Sequence, residues 1–112
     1  MSRQRYDMVI TFEKDYLQEM YNTGKTTDKK HRFQPAIIRK YIRVIDLMID
    51  QPDTGALKKY HSLNYEKLKG NRAGLSSVRV NNQYRIEFEE KTVNNQVVAT
   101  ICNIVELSNH YK

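Results

Sequence analysis

Apolar residues along the chain follow one period in the first half and another in the second. Met8, Val9, Ile10 and Phe12 form a short apolar run over Asp7 to Phe12 that predicts a strand. Glu13 to Tyr21 then reads as a helix, stopped at Asn22-Thr23-Gly24. A clearer helix follows Pro35, a residue suited to the first turn. Ile38, Tyr41, Ile42, Ile45, Met48 and Ile49 recur there at helical spacing up to the break at Gln51-Pro52. A short helical turn over Asp53 to Tyr60 leads into a loop containing Gly70 and Gly74.

From Leu75 onward the period becomes two. Ser76 to Val80, Tyr84 to Glu90 and Val97 to Leu107 read as three strands, joined at Asn81-Asn82 and Asn94-Asn95, where Asn tolerates the positive φ of tight hairpin turns. A strand and two helices followed by an antiparallel meander predict an α+β fold, with the helices on one face of a small sheet and the other face free. Alternation sends Val78, Val80, Tyr84, Ile86 and Phe88 to the core. It places Arg79, Arg85 and Glu87 on the opposite, exposed surface.

A chain of 112 residues with 39% hydrophobic and 29% charged residues fits a single domain over residues 1–112 and excludes a disordered or fibrous chain. No run approaches the roughly 18 apolar residues of a membrane helix, and the N-terminal segment lacks the pattern of a secretory signal, so no membrane partner and a cytoplasmic location are expected. The one cysteine, Cys102, cannot close an internal disulfide and reads as a small buried hydrophobe. No metal-ligand spacing occurs and no cofactor motif is present: Gly70 and Gly74 lack the Lys-Ser or Lys-Thr of a nucleotide loop.

Charge sharpens the functional reading. Nineteen Lys and Arg against thirteen Asp and Glu give a net charge of +6, which favours an anionic partner. Lys58 to Arg85 holds seven basic residues and one acid, Glu66; Lys25 to Arg43 holds seven and only Asp28. The expected free face therefore carries Arg79 and Arg85, with Lys67, Lys69 and Arg72 on the preceding loop and the tail Ser108-Asn109-His110-Tyr111-Lys112 at its rim. Lys and Arg neutralise phosphates and Tyr rings accept unstacked bases, so such a surface suits RNA. Arg39, Lys40 and Arg43 read as a solvated helix face, His31 as surface, and Tyr65 and Tyr84 as packing residues.

The segment SLNYEKLKGNRAGLSSVRVNNQYRIEFEE, Ser62 to Glu90, resembles the signature stretch of HigB-type toxins in the RelE/ParE superfamily of bacterial toxin-antitoxin systems. The likeness extends through KKHRFQP (Lys29 to Pro35), the helix after it and the tail ELSNHYK (Glu106 to Lys112). It implies a RelE-like fold and a ribosome-dependent endoribonuclease that cuts messenger RNA and stops translation. It also implies a partner antitoxin, HigA-like and carrying a helix-turn-helix domain. A ParE-like DNA gyrase poison on the same fold, or a module that binds RNA or a partner without chemistry, are the alternatives.

The chemistry the resemblance implies is attack of a ribose 2′-oxygen on the adjacent phosphate, without metal. Lys69 and Arg79 would carry transition-state charge, with Lys67, Arg72 and Arg85 on the RNA. Crowding by Lys67, Arg72 and Arg79 would favour Lys69 as a proton carrier. His110 and Tyr111 would move protons or hold the base. The sequence departs from the family pattern at Glu66, where some members carry His, and in the order Asn109-His110-Tyr111. Glu66 and His61 thus stand as further proton acceptors, and which group is acid and which is base stays open.

Overall fold

Both helices form where the apolar spacing placed them, and their ends have local causes. In the computed structural model, which describes residues 5–95 and 97–109, α1 covers Asp15–Thr23 and α2 covers Pro35–Ile49. Gly24 closes α1 at φ 77, its N–H donating to the Met20 carbonyl at 2.9 Å, a left-handed cap that glycine adopts without strain. Pro35 opens α2, where its missing N–H costs no helical bond. The buried stripe of α2 is Ile38, Tyr41, Val44, Ile45 and Met48. Ile49, expected inside, is 40% exposed. Val44 takes its place.

The strands are β1 (Arg5–Phe12), β2 (Glu66–Lys67), β3 (Ser76–Arg79), β4 (Arg85–Asn94) and β5 (Val97–Ser108), forming one sheet in the order β1-β5-β4-β3-β2. β1 runs parallel to β5 and the other neighbours are antiparallel. The three-strand meander is thus extended on both sides: β1 returns beside the last strand, and the stretch expected to be pure loop contributes β2 between 3-10 turns at Thr54–Lys59, His61–Leu63 and Gly70–Arg72.

Helices pack on one face of the sheet. Leu17, Met20, Tyr41, Ile45 and Met48 meet Met8, Val78, Ile86, Phe88, Cys102 and Ile104 in one core. Tyr41 ties the two helices together, its hydroxyl donating to the Leu17 carbonyl at 2.8 Å. Among the described residues no helix is long and apolar enough to cross a membrane.

The β3–β4 turn works differently from expectation. Neither Asn81 nor Asn82 takes a positive φ; the Asn81 side chain instead accepts the N–H groups of Gln83 and Tyr84 at 2.9 and 2.7 Å. An asparagine can satisfy a turn through its carbonyl as readily as through its backbone. Among the described residues the non-glycine residue that does adopt positive φ is Asn64, at 44°, and its carbonyl reaches the candidate site.

Candidate active site

Register places two polar rows on the sheet face turned away from the helices. Glu66 pairs with Ser77, Ser77 with Glu87 and Glu87 with Glu106; the next row is Arg79, Arg85 and Ser108. Paired residues project to the same side of a sheet, so the two rows share one surface.

Arg79 and Arg85 meet here as expected, but only one of them is exposed. Arg85 is 5% exposed: its Nε donates to Ser77 Oγ at 2.9 Å, one terminal nitrogen donates to the Asn64 carbonyl at 2.6 Å, and Glu66 Oε1 lies 3.6 Å away. Arg79 stands in solvent and leans on its hairpin, its Nε donating to the Asn81 carbonyl at 3.1 Å and a terminal nitrogen to Asn82 Oδ1. The expectation that Arg85 and Glu87 would both be exposed is therefore corrected. Alternation set the face rightly, but the Asn64–Arg72 segment folds back beside and over it.

Glu87, 1% exposed, and Glu106 stand directly opposite each other, an arrangement that needs a cation between them. Arg72 supplies it, one nitrogen lying 2.7 Å from Glu87 Oε1 and 3.2 Å from Glu106 Oε2. The guanidinium expected to face RNA thus engages two carboxylates. Lys67 pairs with Ser76 and so projects to the other face of the sheet, toward a cleft with Thr54, Lys58, Tyr65 and Glu90. Glu90 is held there by the hydroxyls of Thr54, Tyr65 and Ser76.

Lys69 is exposed at the start of the Gly70–Arg72 turn, beyond the Leu68–Leu75 contact that closes the β2–β3 ladder. Arg79 ends β3 four positions past Leu75. About 13 Å of strand separates Leu75 from Arg79. The structure therefore joins Arg79, Arg85 and Glu66, but does not set Lys69 beside them. Of the cations expected around Lys69, Arg72 is engaged by Glu87 and Glu106, and Arg79 lies at the other end of β3. His61 is exposed in its 3-10 turn. His110 and Tyr111 lie outside the described residues. Among the described residues no cluster of His, Cys, Asp and Glu could hold a metal ion.

Two further basic surfaces flank the rows. Lys40 and Arg43 of α2, read from sequence as a solvated face, share with Arg79 a cleft of about 320 Å³ whose floor is Val44, Leu47, Leu63 and Val80. On the opposite side β1 ends opposite Ile104, so the last residues of β5 have no strand neighbour there. The segment Lys30–Phe33 borders a cleft of about 240 Å³ with Tyr84, Glu106, Ser108 and Asn109. Helical spacing showed the first group of cations but not what lay across from it. For the second, the basic surplus over Lys25 to Arg43 was visible in the sequence, but not that this segment lies against the end of β5.

Residues 10–103 match the family of HigB, described as a RelE-like toxin of a type II toxin-antitoxin system. The chain belongs to this family. The HigB-like toxin is 30% identical over 83 residues to toxin HigB-1 of Vibrio cholerae, covering 73% of this chain and 83% of that protein. In fold it is similar to a YoeB/ParE toxin from Agrobacterium tumefaciens, at a TM-score of 0.52 and 18% identity over 93% of this chain and all of that one. A YoeB-YefM complex from Staphylococcus aureus matches at a TM-score of 0.49 and 24% identity, over 98% of this chain and 100% of that one. The family match and the likeness to the Agrobacterium toxin establish the RelE-like α+β architecture of the HigB-like toxin. Its matched segment contains Glu66, Lys69, Arg72, Arg79 and Arg85.

Proposed function

We propose that this toxin is a metal-independent endoribonuclease that cuts messenger RNA on the ribosome and so inhibits translation in the cytoplasm. The observation that carries the reading is the Arg79–Arg85 pair. One guanidinium is fixed by Ser77 and Asn64 in a dry position and the other is open to solvent on the same row of the sheet. A cation held in advance by protein groups needs no reorganisation as charge develops on a phosphate, which is where electrostatic catalysis is strongest. Arg79 then grips the backbone of the strand, and Lys40 and Arg43 continue the positive track from the same cleft.

In this reading Lys69, beyond the far end of β3, contacts a different phosphate of the same RNA. Glu66, 3.6 Å from Arg85, is a carboxylate within reach of the reacting ribose. His110 and Tyr111 act from the tail, while Arg72 supports the site through Glu87 and Glu106. The partner is a HigA-like helix-turn-helix antitoxin that silences the toxin, and no cofactor takes part.

Inducible expression with 5′-end mapping of transcripts, with and without the antitoxin, tests the reading. New 5′ ends within translated frames, lost in Arg79→Ala and suppressed by the antitoxin, are expected. Intact transcripts with DNA breaks would replace this reading by gyrase poisoning. Harmless expression of a folded chain would leave a module that binds without chemistry.

A further inference from the structure

His31 is held by a carboxylate and an aromatic ring. Asp28 Oδ1 accepts from the Lys30 N–H at 2.8 Å, from the His31 N–H at 3.1 Å and from His31 Nδ1 at 3.1 Å. A carboxylate can only accept, so Nδ1 is the donor to Asp28 and Nε2 is the ring nitrogen not engaged by that carboxylate. Tyr16 lies flat against the imidazole, with ring centroids 3.8 Å apart and planes 7° from parallel. The loop is fixed in turn at its start, where Thr27 N–H donates to Glu19 Oε1 at 2.9 Å and Asp28 N–H to Thr26 Oγ1 at 3.0 Å. Orientation by a carboxylate and a ring stack together is more than a solvated histidine requires.

Position matters as much as geometry. His31 lines the 240 Å³ cleft with Glu106 and Ser108, and Ser108 is the direct β5 partner of Arg85. The imidazole therefore sits at the β5 end of the row that runs Arg79, Arg85, Ser108, and its side chain is 36% exposed. The charged and titratable groups around it are Asp28, Lys30 and Arg32 of its own loop, Tyr16 of α1, Tyr84 just before β4 and Glu106 of β5. Burial, with the carboxylates of Glu106 and Asp28, pushes the Tyr16 phenol up to about 12, so the stacked ring stays neutral.

We propose that His31 Nε2 is the base that takes the proton from the ribose 2′-hydroxyl in RNA cleavage, with Asp28 as its positioning residue. This rests on the endoribonuclease reading. The 2′-oxygen, freed of its proton, bonds to phosphorus while the bond from phosphorus to the 5′-oxygen breaks. The departing 5′-oxygen takes a proton from solvent water, leaving a 2′,3′-cyclic phosphate and a 5′-hydroxyl. His31 then returns its proton to solvent. Lys30 and Arg32, at the same cleft, face the phosphate next along the strand.

The test uses the full chain on ribosomes programmed with a defined message. His31→Phe keeps the ring stack but has no nitrogen, and is expected to cut about 10² to 10⁴ times more slowly while still sedimenting with ribosomes. His31→Ala should be partly restored by added imidazole, and the limb of the pH–rate profile on which the rate rises with pH should be absent from His31→Phe. Wild-type rates in His31→Phe, beside an inactive Arg79→Ala, would overturn the assignment and leave the nuclease reading standing. Slow variants that imidazole does not rescue, with the pH limb unchanged, would make His31 structural and also overturn it. A wild-type chain that cuts no message on ribosomes would remove both.

Discussion

Arg79 and Arg85 sit directly opposite each other across the β3–β4 ladder, one in solvent and the other 5% exposed. Two like charges at a directly paired position repel unless their surroundings separate them. Here Ser77, Asn64 and Glu66 draw Arg85 inward, and the hairpin residues Asn81 and Asn82 draw Arg79 outward. The pair should therefore respond unequally to substitution. Arg85→Ala strands the Asn64 carbonyl and is expected to lower stability by about 3 kcal/mol, whereas Arg79→Ala should change stability by less than about 0.5 kcal/mol. Urea unfolding of the two variants measures this, and equal midpoints would contradict it.

Arg72 holds two acids that would otherwise face each other across β4 and β5. Arg72→Ala is expected to destabilise the chain by about 2 kcal/mol, less than a fully buried pair because the guanidinium is partly solvated. Adding Glu106→Gln to that background should recover part of the loss by removing one of the two charges. A double variant no more stable than the single one would show that repulsion between the acids is not the cause.

The loop that carries His31 should loosen in acid. The backbone N–H of Thr27 holds the Glu19 carboxyl below the usual carboxylate range, and the N–H of Lys30 does the same for Asp28. Groups lowered in the folded state stabilise it fully above their unfolded pKa near about 4, and lose that contribution as pH falls through the lower folded values. Amide resonances of Thr27, Lys30 and His31 should shift there before the core amides do. Simultaneous loss of all amide signals would contradict a local event.

Cys102 should be chemically silent while the chain is folded. Its Sγ lies 3.5 Å from Met8 Sδ in the core, and burial pushes the thiol up to about 12. At about pH 8 almost no thiolate is available to react. Ellman's reagent should therefore modify it only after unfolding, at the rate of global opening. Stoichiometric reaction of the native chain within seconds would contradict the packing.

Much of the fold was legible because it rests on local period. The stripe from Ile38 to Met48 and the alternation Val78, Val80, Ile86, Phe88 both mark faces that a chain must bury, and both are in the core. The candidate site was legible only as a side of the sheet. Alternation correctly put Arg79, Arg85 and Glu87 together but said nothing of what would cover them, and the Gly70–Arg72 turn that brings Arg72 over Glu87 has no periodic signal. His31 was unreadable for a similar reason. Its surroundings are Tyr16, Asp28 and Ser108, the first and last of which lie 15 positions before it and 77 after it.

Composition and spacing by themselves determined a basic α+β chain, since period and turn chemistry act between near neighbours, and the resemblance of Ser62 to Glu90 to HigB-type toxins supplied the family. Tertiary structure alone decided which cations stand in solvent and which are neutralised by carboxylates. It also decided that a histidine between two helices stands beside the last strand. Those outcomes depend on register and on a loop's path across a sheet, where residues far apart in the chain exchange charge and hydrogen bonds that no local pattern records.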